Sequence, residues 1–91
     1  MNTPALIEYG TVHDLHHLMD FGRVEARVRL FFEGAAENDP GVEIVTNVVP
    51  FPNETEASIK SRLVVSAARL FRQFELKEFE SRAEFNQPVA A

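Results

Sequence analysis

The chain reads as an α+β fold: a two-stranded antiparallel hairpin, with room for a third N-terminal strand, covered by one long C-terminal helix and preceded by a short N-terminal helix. Three observations predict it. Arg23 to Glu33 alternates apolar and charged residues, Val42 to Val49 is β-branched, and Ile59 to Phe74 repeats its apolar residues at three- and four-residue steps. The first two are strand patterns and the third is a helical one.

Taken in order, Ala5 to Tyr9 has the length of a short strand at the hairpin's edge, ended by Gly10. Thr11 to Asp20 then reads as a short helix. Thr11 is placed to cap it, Asp14 stands three residues on, and Val12, Leu15, Leu18 and Met19 form an apolar side. Gly22 stops it before the next strand.

In Arg23 to Glu33 the even positions Val24, Ala26, Val28, Leu30 and Phe32 are apolar, and Glu25, Arg27, Arg29 and Glu33 fill odd ones. That is a strand with one buried and one wet face, and Phe31 departs from it by standing with the charged set. Val42, Ile44 and Val48 share one face of the second strand and Val45 and Val49 the other, which predicts cover on both sides. Between the strands, Asn38-Asp39-Pro40-Gly41 is turn chemistry. The loop from Gly34 to Gly41 exceeds the usual ~2 to 5 residues of a hairpin, so a parallel or unpaired arrangement stays open beside the antiparallel one.

Pro50 and Pro52 end the second strand, because neither can donate to a ladder, and Asn53 followed by Glu56 has the spacing of a helix cap. Asn53-Glu54-Thr55 also matches a glycosylation sequon, and the cap is the preferred reading. Ile59, Leu63, Ala67, Leu70, Phe71 and Phe74 then form an apolar stripe broadened by Val64, with Lys60, Arg62, Arg69 and Arg72 off it. Roughly 30 Å of helix at about 1.5 Å per residue matches the length of the strands it must cover.

Beyond Phe74 two readings compete. If the helix continues, Leu76, Phe79 and Ala83 form an apolar ridge rotated away from the main stripe, flanked by Glu75, Glu78, Glu80 and Glu84. Alternatively a bent second helix folds back and buries Phe79 and Phe85. Pro88 ends any helix before the tail.

With 91 residues, 45% of them hydrophobic and 25% charged, residues 1–91 form one small α+β domain with its core in 23–74. The absence of cysteine excludes disulfide and thiolate chemistry. No apolar run nears the ~20 residues of a membrane span and Met1 to Gly10 lacks signal-peptide features, so a cytoplasmic location away from membranes is expected. The net charge of −5 argues against a general affinity for nucleic acid. A local exception is Arg23, Arg27 and Arg29 with Phe31 on the exposed face of the first strand. That basic-aromatic row suits single strands unless Glu25 and Glu33 neutralise it, in which case it is a solvated face or an oligomer contact.

One cluster hints at chemistry. In His13-Asp14-Leu15-His16-His17, a helix would set His13 and His17 one turn apart, with Asp20 further along the same face, a donor set for Zn²⁺ or Ni²⁺. The five residues superficially resemble the zinc-protease helix motif, with Asp14 in place of its glutamate. Aspartate is one methylene shorter and no further histidine exists outside the cluster, so the resemblance stops at metal binding. The competing reading is a polar face whose histidines pair with Asp14 or Asp20. The four glycines are too dispersed for a phosphate loop, and no serine lies in a nucleophile-elbow pattern. An enzyme and a cofactor are not expected.

Eight phenylalanines are many for a chain this short to bury in one core. Seven of the nine cations are arginine, the cation favoured at protein interfaces. The expectation is therefore a non-enzymatic interaction module, such as a small inhibitor, an adaptor or a phage-like assembly subunit. It self-associates and binds a protein partner through Arg27, Arg29 and Phe31 or through Leu76 and Phe79. The alternative is a metal-binding protein using His13, His17 and Asp20.

Overall fold

The computed structural model describes residues 6–85, with side chains described as far as Lys77. Three strands, β1 (Ile7–Leu18), β2 (Arg23–Phe32) and β3 (Val42–Val48), precede one helix, α1 (Glu56–Phe85). The strands form an antiparallel sheet in the order β1-β2-β3. The hairpin reading of β2 and β3 is realised, and the third strand joins the free side of β2.

β2 is the middle of the sheet, and its alternation places the core. Val24, Ala26, Val28 and Leu30 are buried beneath α1, where they meet Ile59, Leu63 and Ala67. Leu63 sits centrally because positions four residues apart on either side, Ile59 and Ala67, share its face of the helix. At the far end Phe71 packs on Phe32, ring centroids 5.0 Å apart. Burying a side chain the size of Leu63 contributes about 1.5 to 3 kcal/mol, which makes this stripe the main tie between helix and sheet.

The short N-terminal helix expected over Thr11 to Asp20 is not formed. Those residues belong to β1 and to a single 3₁₀ turn, Met19–Phe21, closed by Gly22 with φ 60°. The cause is a β-bulge. The register of β1 against β2 shifts between His13 and His16, and Asp14 has φ 52°. The extra residue carries Val12 and Leu15 to the same face although they are three apart, and both pack on the core. A spacing of three in a bulged strand imitates a helical step.

Two further expectations change. Gly10 does not end a strand but lies inside β1, opposite Leu30. β3 has cover on one face only: Thr46 and Val48 are buried toward α1, whereas Val45 is 55% exposed on the other side.

The entry to α1 also differs from the expected cap. Asn53 has φ 61° and belongs to the preceding turn. The cap is Thr55, whose Oγ1 accepts a hydrogen bond from the Ser58 amide at 3.1 Å while its carbonyl accepts from Ile59. Glu54, one residue earlier, accepts from the Phe51 amide at 2.9 Å and from Ser58 Oγ at 2.6 Å, and it pairs with Arg62 at 2.7 Å. Turn, cap and second helical turn are thereby tied to one carboxylate.

α1 continues through Glu75 as far as Phe85, so the fold-back alternative is not adopted; Pro88 and the tail lie outside the described residues. Thirty residues make a helix about 45 Å long, against about 33 Å for the ten residues of β2. The helix therefore outruns the sheet. Its core contacts stop at Phe71, and the greatest dimension of the molecule reaches 60 Å.

Candidate interaction surfaces

The sheet face away from α1 brings together the first group of expected contact residues. Arg27 and Arg29 alternate along β2 with Phe31, as the period of two requires. Their neutralising partners are not Glu25 and Glu33 but acids from the flanking strands. Arg27 pairs with Asp14 in the β1 bulge and with Glu43 at 3.3 Å. Arg29 reaches Glu43 at 2.8 Å and donates to the Pro40 carbonyl at 2.7 Å. The hydrogen bond and charge of Asp14, followed by the charge of Glu43, raise the pKa of Arg27 above its ordinary value. Glu25 is engaged by His16 at 3.3 Å.

This row is a lattice of opposite charges with no surplus of cations, a poor match for a polyanion. Phe31 is half-buried and stacks on Tyr9, with ring centroids 4.7 Å apart and ring planes at 18°. Sequence reasoning missed Tyr9, Asp14 and Glu43 in this arrangement. Their signal lies in the strand register, where Tyr9 faces Phe31 and Glu43 faces Arg29.

The second expected group is on α1. Leu76 is 57% exposed, and the side chain of Phe79 lies outside the described residues. Two other apolar residues join the exposed set. Leu70 and Phe74 continue the Leu63–Ala67 stripe: Leu70 is 42% exposed at the flank of the sheet, and Phe74, past the last core contact at Phe71, is 60% exposed. The stripe that builds the core thus runs on, uncovered, along the projecting half of the helix.

Other exposed rings are less available or stand alone. Phe51 lies beneath the Arg62 guanidinium, 4.0 Å from its ring centroid. Phe21 is exposed at the tip of the β1–β2 connection, beside Met19.

The candidate metal residues are separated by the strand that replaces the expected helix. His13 lies opposite Arg27, on the open face of the sheet, and Thr11 Oγ1 is 2.8 Å from its Nε2. His17 lies opposite Val24, whose side chain faces the helix, and Asp20 is in the 3₁₀ turn. Directly opposed residues of an antiparallel pair share a face, so the two histidines point to opposite sides of the sheet. Among the described residues no three His, Asp or Glu side chains are grouped so as to hold a metal ion. His16 instead bonds the Asp14 carbonyl through Nδ1 at 2.9 Å, which helps fix the bulge.

No protein-family model, curated protein or solved structure matches this chain.

Proposed function

We propose that the protein is a non-enzymatic interaction module that self-associates through the projecting half of α1 and, in that form, engages a protein partner. The observation carrying this reading is the exposure of Leu76, on the ridge rotated away from the core stripe, where the helix extends past the sheet it covers. Apolar side chains in such a position contribute nothing to the core of their own subunit. Packed against another helix they recover roughly 25 cal/mol for each Å² of apolar surface removed from water.

A second copy is the occupant that charge favours. The sequence of α1 is basic at Arg72 and acid-rich from Glu75 through Glu84. An antiparallel pair of helices crossing at Leu76 brings Arg72 of each copy alongside Glu80 of the other, and a parallel pair does not.

Light scattering coupled to size-exclusion chromatography, run on wild type and on Leu76→Asp, tests this. Wild type is expected at twice the monomer mass and the variant at the monomer mass, with an unchanged far-UV circular dichroism spectrum. A wild type that stays monomeric at high concentration removes the reading.

A further inference from the structure

β3 forms one edge of the sheet, and among the described residues no strand pairs with its outer side. In an antiparallel ladder alternate residues turn both N–H and C=O away from their neighbour, so Val42–Val48 presents a row of free donors and acceptors. Protein edges are usually blunted by bulges, lysine or proline. β1, the opposite edge, is blunted in this way, with two register shifts and the bulge at Asp14. β3 has no such device. Its register with β2 runs unbroken from Val48 to Val42, it contains neither lysine nor proline, and its single charge is Glu43.

Beside this edge an open groove of about 510 Å³ lies between the end of β3 and the flank of α1. Val49, Val65 and Leu70 give it an apolar lining, and Arg23, Arg62 and Arg69 line it with cations. Glu54 engages Arg62, whereas neither Arg23 nor Arg69 is in an ion pair with a described acid. Arg23 is held by the Asn47 side chain, so among the described residues a chain of net charge −5 leaves the Arg69 guanidinium without an ion-pair partner beside an unpaired strand.

We propose that β3 is a docking edge for an extended acidic segment of a partner protein, which adds as a fourth strand and directs carboxylates toward Arg69. Hydrogen bonds from the β3 backbone supply affinity, and the side chains of the added strand supply specificity. Every second residue of that strand faces the groove, at intervals of about 6 to 7 Å. Glutamates alternating with aliphatic residues therefore meet Arg69 on the face toward α1, while the aliphatic residues meet Val45 on the open face of the sheet. A second copy's β3 fits less well. Its one acid is already held by Arg27 and Arg29, and pairing would set two basic grooves side by side with no free acid between them. The groove ends at Leu70 and Gln73, short of the Leu76 crossing proposed for self-association, and a monomeric chain would retain it.

The test uses the full-length, isotope-labelled protein and a blocked octapeptide of alternating glutamate and valine, with a lysine–valine peptide as control. A third peptide carries N-methyl groups on the alternate amides that would bond to β3. Amide shifts and hydrogen exchange are followed by NMR. The glutamate peptide is expected to slow exchange at alternate residues of Val42–Val48 and to bind more weakly as salt rises. N-methylation is expected to abolish binding, the lysine peptide to be inert, and Arg69→Glu to weaken binding about tenfold. Equal binding of the lysine or N-methylated peptide, shifts away from β3, or no binding overturns the proposal. So does concentration-dependent protection of β3 amides without peptide, which would place a second copy on the edge. The peptide comparisons use wild type, so the result does not depend on a variant folding.

Discussion

Gly10 and Val64 meet where α1 crosses β1: a methyl group added at Gly10 would lie 2.8 Å from Val64 Cγ1 and 3.2 Å from Leu30 Cδ2. The absent side chain lets the helix settle on the first strand, and its φ is not in the left-handed region. Gly10→Val is expected to destabilise the fold by about 1 to 3 kcal/mol through overpacking. Pairing Gly10→Ala with Val64→Ala should give a total cost smaller than the sum of the single changes, because the second substitution makes room for the first. Urea denaturation of the four members of that cycle measures the coupling, and strict additivity would contradict the contact.

Thr46 is the buried polar residue of β3, and its Oγ1 lies 2.6 Å from Ser66 Oγ on α1. Two hydroxyls that satisfy each other cost little to remove together and more to remove singly. Thr46→Val should destabilise by about 1 kcal/mol, and Thr46→Val with Ser66→Ala should recover most of that loss. Chemical denaturation checks it; a double variant weaker than Thr46→Val would show that the pair does not act as a unit.

Glu54 makes the helix entry sensitive to acid. The hydrogen bond from Ser58 and then that from the Phe51 amide, with the charge of Arg62 adding to them, lower its pKa below the ordinary glutamate value. A carboxyl group ionising at lower pH in the folded than in the unfolded chain contributes stability above the unfolded pKa. That contribution is lost as the pH falls through the folded pKa. Glu54→Gln is therefore expected to be less stable than wild type at pH 7, with the gap closing on acidification. Urea midpoints at pH 7 and pH 3 give the comparison, and a gap that widens toward pH 3 would have the wrong sign.

Where periodicity alone decides structure, the chain was readable. The even positions of β2 face α1, and the Ile59–Leu63–Ala67 series is the face that covers them. β1 was misread because the bulge at Asp14 turned a period of two into a step of three between Val12 and Leu15. No local propensity announces such an insertion before the partner strand is known. The charge lattice was hidden for a related reason: Arg27 and Arg29 find Glu43 more than a dozen residues away, through the β2–β3 register. The projecting half of α1 was legible as a continuing apolar pattern. That Phe74, on the core stripe, would end up uncovered follows only from the lengths of helix and sheet together.

Self-association through α1 is the central claim, and the lack of native cysteine allows a direct measurement of it. A single cysteine is introduced as Leu76→Cys, or as Ser61→Cys on the solvent side of the sheet-covered half of the helix, and disulfide formation under mild oxidant is followed by intact mass. An antiparallel pair crossing at residue 76 predicts rapid, near-complete cross-linking of the first variant and slow, concentration-limited cross-linking of the second. Equal rates at the two positions would contradict the account.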